Sequence, residues 1–472
     1  MLRKHSGLLL LVPLLLPAVV SAQSSEEVKQ ILERLERLER ENQNLAAEVR
    51  ALRTELSAKN GSESQPAAAP EVAGAPVGVT PAQPDDATPE GPPLAEQVAV
   101  NTRQIADLSQ TKVESSQKLP VTLSGIVLFN AFINGRANAG EQYPMIASTK
   151  TSIENGGASP SQTIIGLTYQ GHQIWGGARL NASAFFDLWG GNPNSSLDHT
   201  IRLRVATISA DWKNQSLMVG QDKPIIAPRD PTSLAQVAFS PLTSAGNLWL
   251  WQPQIRFEQR FHFGETAGLK AQAGLYQTSE PIASAGEEYG GSLAVSRPAL
   301  EGRFEFWKEF AGGARFEIAP GFHTSNTHVD GLSVPSRLFS IDWLLRPVRK
   351  LEVTGTFFGG KNTAGIGGLR QGFTFLGEDH VVAVRAAGGW LQVSYQATSR
   401  LSFQAHSGQE SNRAADLLIG GITRNLAYAG NVQYKIASNV VLAFEASQVR
   451  TKRVSTPERL NNHYDFALAY LF

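Results

Sequence analysis

The sequence predicts an all-β transmembrane barrel of about sixteen antiparallel strands, preceded by an α-helical coiled coil. Three observations predict it. Period-two alternation of apolar and polar residues fills the chain after Pro120, a heptad repeat precedes it, and the last residues, Tyr464 to Phe472, alternate apolar with small or polar side chains and end on an aromatic ring. Composition agrees. Charged residues make up only 18% of 472, basic and acidic side chains balance at 42 each, and no stretch beyond residue 22 approaches the roughly 18 apolar residues a spanning helix needs. The neutral balance gives no pull toward nucleic acid. With no cysteine in the chain, disulfides, thiolate nucleophiles and Cys-based metal sites are excluded. Neither a metal nor a cofactor is expected.

Residues 1–22 read as a signal peptide: Arg3, Lys4 and His5, an apolar run from Leu8 to Leu16, then Val20-Ser21-Ala22 before a cleavage point at Gln23. Pro13 and Pro17 break a run already too short to anchor in a bilayer.

Residues 23–56 read as a coiled coil. Apolar residues step by threes and fours through Val28, Ile31, Leu35, Leu38, Leu45, Val49, Leu52 and Leu56, with Asn42 in the remaining core slot. With Val28 at a, Arg34 and Glu39, and Glu48 and Arg53, fall at g and the following e, where parallel helices bring opposite charges together. One amphipathic helix lying on the barrel is the plainer alternative. A lone Asn at an a position accompanies dimers, whereas Arg34-Leu-Glu-Arg-Leu-Glu39 resembles the signature of trimeric coils. The second helical segment, 94–118, tips the balance toward a trimer: Val98-Ala-Val-Asn101-Thr102 resembles the polar layer in stalks of trimeric autotransporter adhesins. By that resemblance Asn101 points its amide inward around an anion; as a polar core residue it could equally serve only to fix register. Between the helices, residues 57–93 form a Pro/Ala-rich linker in which eight prolines prevent helix.

The barrel is expected over 119–472. In Ala178 to Leu188 one face holds Leu180, Ala182, Ala184, Phe186 and Leu188, and the other Arg179, Asn181, Ser183 and Asp187. A soluble sandwich shows the same alternation, so connection lengths must decide. Long loops are expected near 135–161, 189–199, 223–253, 279–298, 322–336, 359–380, 408–423 and 451–462, separated by short turns such as 172–177, 213–215, 263–267, 346–350, 398–400 and 436–438. Strict succession of long and short connections is the habit of outer-membrane barrels, and an even strand number puts both barrel ends on the periplasmic side. An adhesin builds one barrel from three short pieces; here each chain supplies around 350 β-rich residues, enough for its own barrel.

Tyr464, Phe466, Leu468, Tyr470 and the terminal Phe472 occupy alternating positions and resemble the segment read by the barrel-assembly machinery. With signal, coil and barrel, the chain resembles trimeric outer-membrane porins carrying an N-terminal periplasmic coiled coil, the DcaP-like, dicarboxylate-type group. The resemblance implies a homotrimeric, non-enzymatic diffusion channel for small solutes in the outer membrane of a Gram-negative-type bacterium. In such porins the third loop folds into the lumen and narrows it. Carried over, 223–253 would set the constriction through Lys223, Arg229 and Asp230, with Trp249 and Trp251 either lining it or packing it against the wall; a plain surface loop is the alternative.

The polar faces also carry Arg179, Arg202, Arg204, Arg256, Arg260, Arg303 and Arg315, with Asp187, Glu258, Glu301, Glu305 and Glu317 among them. Arg202 and Arg204 have no acid on their own strand face, which suggests an anion track with Arg256 and Arg260 unless acids on adjacent strands neutralise them. Ion-pair ladders, Glu301 with Arg303 and Arg315 with Glu317, are the competing expectation. No Gly-x-Ser-x-Gly or His-Glu-x-x-His arrangement argues for an enzyme. The rival function is structural: a tethered coil gripping peptidoglycan or a periplasmic partner.

Overall fold

A computed structural model of the chain describes residues 121–472 apart from 151, 193, 279–296, 330 and 377–379. The expected signal peptide, the linker and both coiled-coil segments, with Leu35, Leu38, Asn42, Leu45, Val49 and Asn101, lie outside the described residues.

The strands begin with β1 (Val121–Asn134), β2 (Asn155–Ser159), β3 (Ile164–Gln173), β4 (Arg179–Asp187), β5 (Arg202–Asp211), β6 (Gln215–Asp222) and β7 (Gln252–His262). They continue with β8 (Ala267–Gln277), β9 (Pro298–Glu309), β10 (Arg315–Val329), β11 (Leu332–Val348) and β12 (Leu351–Lys361). After a small separate hairpin, β13 (Phe373–Phe375) with β14 (Val381–Ala383), the wall resumes with β15 (Arg385–Gln396), β16 (Leu401–Asn412), β17 (Ile422–Ala437), β18 (Val440–Arg453) and β19 (Thr456–Leu471). Each wall strand pairs antiparallel with its sequence neighbours. Strands β2 and β3 form one stave against β1, interrupted where Pro160 has no N–H to give a ladder. The Thr163 hydroxyl fills that gap by accepting from the Leu128 N–H at 3.1 Å. Counted so, the barrel is a closed antiparallel sheet of sixteen staves.

Closure is made by β1 and β19, from Ile126 opposite Leu471 to Asn134 opposite His463. Phe472 completes the seam: its carbonyl accepts from Gly125 N–H at 2.9 Å, and its ring lies where a Cβ on Gly125 would stand. Along β19, Tyr464, Phe466, Leu468 and Tyr470 face outward and are exposed, while His463, Asp465, Ala467, Ala469 and Leu471 face inward and are buried. The same outward face recurs on stave after stave, with Phe129, Ile165, Leu203, Phe257, Phe304, Phe339, Phe357, Leu391, Phe403 and Phe444 exposed. An apolar outer surface of this extent belongs in lipid. Trp175, Phe263 and Phe310, all exposed in short turns, mark one aromatic rim.

Seven short turns alternate with eight connections on the opposite side, so the parity expected from the sequence holds. Two expected long loops do not. At 322–336 and 451–462 the strands run on, and β10 passes to β11, and β18 to β19, through two residues each. Thr324 to His328 and Arg450 to Arg453 look like loop because the strand has risen above the apolar band and its outward face is polar as well. The ladder persists where the hydrophobic pattern stops. Loop 135–161 likewise contains β2, β12 reaches Lys361, and β16 reaches Asn412.

Candidate functional site in the barrel lumen

Leaving β6 at Asp222, the connection 223–251 turns into the barrel. Its apolar residues are what the wall receives: Leu234 and Val237 pack with inward Ile126, Leu128, Phe185 and Val205. Ile225, Ile226 and Leu248 pack with Tyr276, Leu338 and Phe358, and Leu242 with Trp390. Inward apolar side chains on a wall that should be polar are explained by this loop.

Its backbone is held all round. Wall side chains donate to loop carbonyls: Asn130 to Leu234 at 2.8 Å, Gln162 to Ala235 at 2.7 Å, Arg204 to Val237 at 2.9 Å, Ser340 to Ile226 at 3.1 Å, Asn431 to Thr232 at 3.0 Å and Asn425 to Ser244 at 2.9 Å. In the other direction the Ser233 hydroxyl donates to Glu445 at 2.6 Å, and Ile225 N–H to Glu301 at 3.1 Å. Gln162 lies between β2 and β3 and the other partners belong to β1, β5, β9, β11, β17 and β18, so the loop crosses the lumen to the far wall. At Gly246, φ is +95°, and a Cβ would collide with the carbonyl oxygen of Gly389 on β15 and lie 2.7 Å from that of Gln409 on β16. Backbone meets backbone there, which only glycine permits.

The charged residues singled out in the sequence divide into pairs. Arg202 and Arg204 share Asp187 of the neighbouring strand, at 2.6 and 3.3 Å, and that acid is the register partner of Arg202. The counterion thus comes from the adjacent strand, as the sequence left open, and two cations share that one carboxylate. Both stack on aromatic rings, Arg202 4.8 Å from Phe239 and Arg204 4.6 Å from Trp251, where Trp189, Phe239, Trp249 and Trp251 pack edge to face. Lys223 pairs with Asp230 inside the loop, and Asn247 donates to Asp230 at 3.0 Å.

Arg229 reaches across to Glu317 and Asp342, beside Arg303, which holds Asp342 and Glu305 at 2.7 Å each. Arg315 pairs with Glu317 at 2.5 Å, as expected. Glu301, expected on Arg303, instead meets His323, its register partner on β10, at 2.9 Å, and also accepts from the loop N–H of Ile225. Arg256 pairs with Asp222 at 3.0 Å and Arg260 with Glu258 at 2.5 Å. Among the described residues Arg179 forms no ion pair, and it is exposed. Sequence inspection missed Asp222, Asp342, Glu445 and Asp465. Asp342 was readable as inward from Phe339-Ser-Ile-Asp-Trp, but its two arginines come from β9 and the loop.

Against the wall of β3 to β7 lies a cavity of about 480 Å³. Its lining includes Arg179, Arg256 and Arg260, the acids Asp211, Asp222 and Glu258, and the hydroxyls of Ser183, Thr207, Ser209 and Ser216. Gln170 with Arg179, and Asp211 with Ser216, flank short turns, so the chamber opens toward the turn side of the barrel. Asp211 is held by Asn181, Ser209 and Ser216 through hydroxyl and amide donors.

No protein-family model matches the chain, and no curated protein matches it. Among solved structures, an anion-selective porin from Comamonas acidovorans is 12% identical at a TM-score of 0.49, covering 75% of this chain and 99% of that one. OmpT of the outer membrane of Vibrio cholerae is 8% identical at 0.45, with the same coverage. The outer membrane channel DcaP of Acinetobacter baumannii is 15% identical at a TM-score of 0.60, covering 75% of this chain and 97% of that one. At such identity the likeness is one of fold, and the described chain has the closed sixteen-stranded barrel fold of the DcaP channel.

Proposed function

We propose that the protein is an outer-membrane porin, a passive diffusion channel for small hydrophilic solutes with a weak preference for anions such as carboxylates. The observation that carries this reading is a lipid-facing barrel whose third loop crosses the lumen beside a polar, arginine-lined chamber. Such a wall lowers the barrier to crossing lipid by offering a wet path, and its width and lining charge discriminate among solutes. The charge count supports a weak preference and not a strong one. On β4 to β7, Arg179, Arg202, Arg204, Arg256 and Arg260 face Asp187, Asp211, Asp222 and Glu258, an excess of one cation. Glu410, Glu445 and Asp465 are buried away from the chamber and bonded to neutral donors such as Thr363, Asn431 and Asn130.

The heptads of 23–56 and the Asn101 layer support a homotrimer with its coil in the periplasm, and the outward row ending at Phe472 supports recognition by the barrel-assembly machinery. Planar-bilayer recording of the full chain tests the proposal. Open-channel current with a reversal potential on the anion side of zero is expected in a salt gradient; no conductance would overturn the channel, and cation preference the arginine assignment.

A further inference from the structure

On the long-loop side, the outer face of β11 to β18 carries cations where the lipid band ends. Across the ladder Arg337 of β11 stands opposite Lys361 of β12, and Lys361 opposite Arg385 of β15. The row continues to Arg413, whose N–H donates to the Arg385 carbonyl at 2.8 Å. On the next strands Arg424 of β17 stands opposite Lys452 of β18, with Arg450 one outward position below Lys452. Partners across a ladder share a face, and the buried Ser336 and Leu338 on either side of Arg337 fix that face as the outer one.

Only two of these seven cations are ion-paired among the described residues, Arg385 with Asp416 and Arg424 with Glu458, both at 2.6 Å. Like charges directly opposite one another destabilise a sheet. Three in a row, with one carboxylate against them among the described residues, leave a place for anions from outside the chain. On β4 to β7 the last laddered outward positions on the long-loop side are Phe186, Leu203, Gln221 and Pro253, with no cation among them.

Height identifies the anion. Ten residues separate Leu351 at the turn-side rim from Lys361, and at about 3.3 Å per residue and a tilt near 40° they rise about 25 Å, the height of the apolar band. Below the row the outward residues are Phe339, Phe357 and Leu391, all exposed and apolar. The cations therefore sit at headgroup level of the leaflet on the long-loop side.

We propose that this collar, from Arg337 round to Lys452, binds the phosphate groups of lipid headgroups in the outer leaflet. It rests on the outer-membrane reading for the identity of that leaflet. The phosphates bridge neighbouring cations, relieve their repulsion and fix a lipid shell along one flank of the barrel.

The test uses the full-length protein in detergent and the triple variant Arg337→Gln, Lys361→Gln, Arg413→Gln, none of which faces the lumen. Native mass spectrometry titrates each with lipid A, with its phosphates and after their enzymatic removal. The intact lipid is expected to bind the variant on the order of 100-fold more weakly, about a factor of five for each cation. Phosphate-free lipid is expected to bind both proteins equally. Equal affinity of wild type and variant for the phosphorylated lipid would overturn the proposal, as would a change in the number of copies per particle with lipid affinity unaltered, which would make the collar a contact between copies. Should the variant fail to fold, salt titration of the wild type decides: phosphate binding must weaken as ionic strength rises, and salt-independent binding overturns the proposal. Conductance recorded on the same samples separates the two proposals, since phosphate-dependent binding without conductance leaves the collar standing and removes the channel.

Discussion

Replacing Gly246 by alanine should unseat the third loop without disturbing the barrel. The residue sits at φ +95°, which costs an alanine about 1–2 kcal/mol. Its Cβ would also strike the Gly389 carbonyl and crowd that of Gln409, both within laddered wall strands that cannot yield. Overpacking of this kind costs about 1–3 kcal/mol. The loop must lift or the wall must bend, and the loop has the weaker hold. The combined penalty of about 2–5 kcal/mol shifts the balance between seated and unseated loop by roughly 30-fold to several thousand-fold. Single-channel recording should show larger and noisier conductance, and limited proteolysis should cut within 223–251 faster than in wild type. Gly430, whose Cβ would meet nothing within 4 Å, supplies the control: Gly430→Ala should match wild type in both assays. Wild-type conductance and cleavage in Gly246→Ala would refute the argument that the loop is seated backbone against backbone.

Other consequences follow from the same contacts. Arg179→Glu removes a chamber cation that has no ion pair among the described residues, turning three cations against three acids into two against four; the reversal potential should move toward cation preference with thermal stability unchanged. Asp342→Asn strips the carboxylate shared by Arg303 and Arg229 and should cost about 3–5 kcal/mol, read as a lower unfolding midpoint in detergent. Arg260→Gln touches a half-exposed pair and should cost under about 1 kcal/mol in the same assay. Gly125→Val places a side chain against the Ile164 carbonyl and the Phe472 ring, so the seam should close poorly and heat-modifiable folded barrel should fall on gels; normal yield would show that the terminal contact is dispensable.

What could be read from the sequence was what depends on local periodicity. Alternation in Leu180 to Leu188 and in Tyr464 to Phe472 assigned inner and outer faces correctly, because each strand records its own two environments. The loops near 322–336 and 451–462 were misread for the same reason: above the lipid both faces of a strand are polar, and the pattern vanishes while the hydrogen bonds continue. The lumen was less legible. The pairing of Arg202 stayed open because its acid lies fifteen residues away on β4, and Arg229 finds Glu317 and Asp342 only once the loop has crossed the barrel. Inward Ile126, Leu128 and Phe185 contradict a simple polar lining until Leu234 and Val237 are laid against them. Register and loop trajectory join distant residues, and neither is written in any short stretch of chain.

The proposed solute path runs through the chamber lined by β3 to β7. Because the chain has no cysteine, a single Ser183→Cys substitution puts one thiol into that chamber. Conductance before and after attachment of a bulky thiol-specific reagent, with labelling followed by mass spectrometry, is the most direct measurement. A fall in single-channel conductance in step with labelling is expected; unchanged conductance at complete labelling would contradict the account.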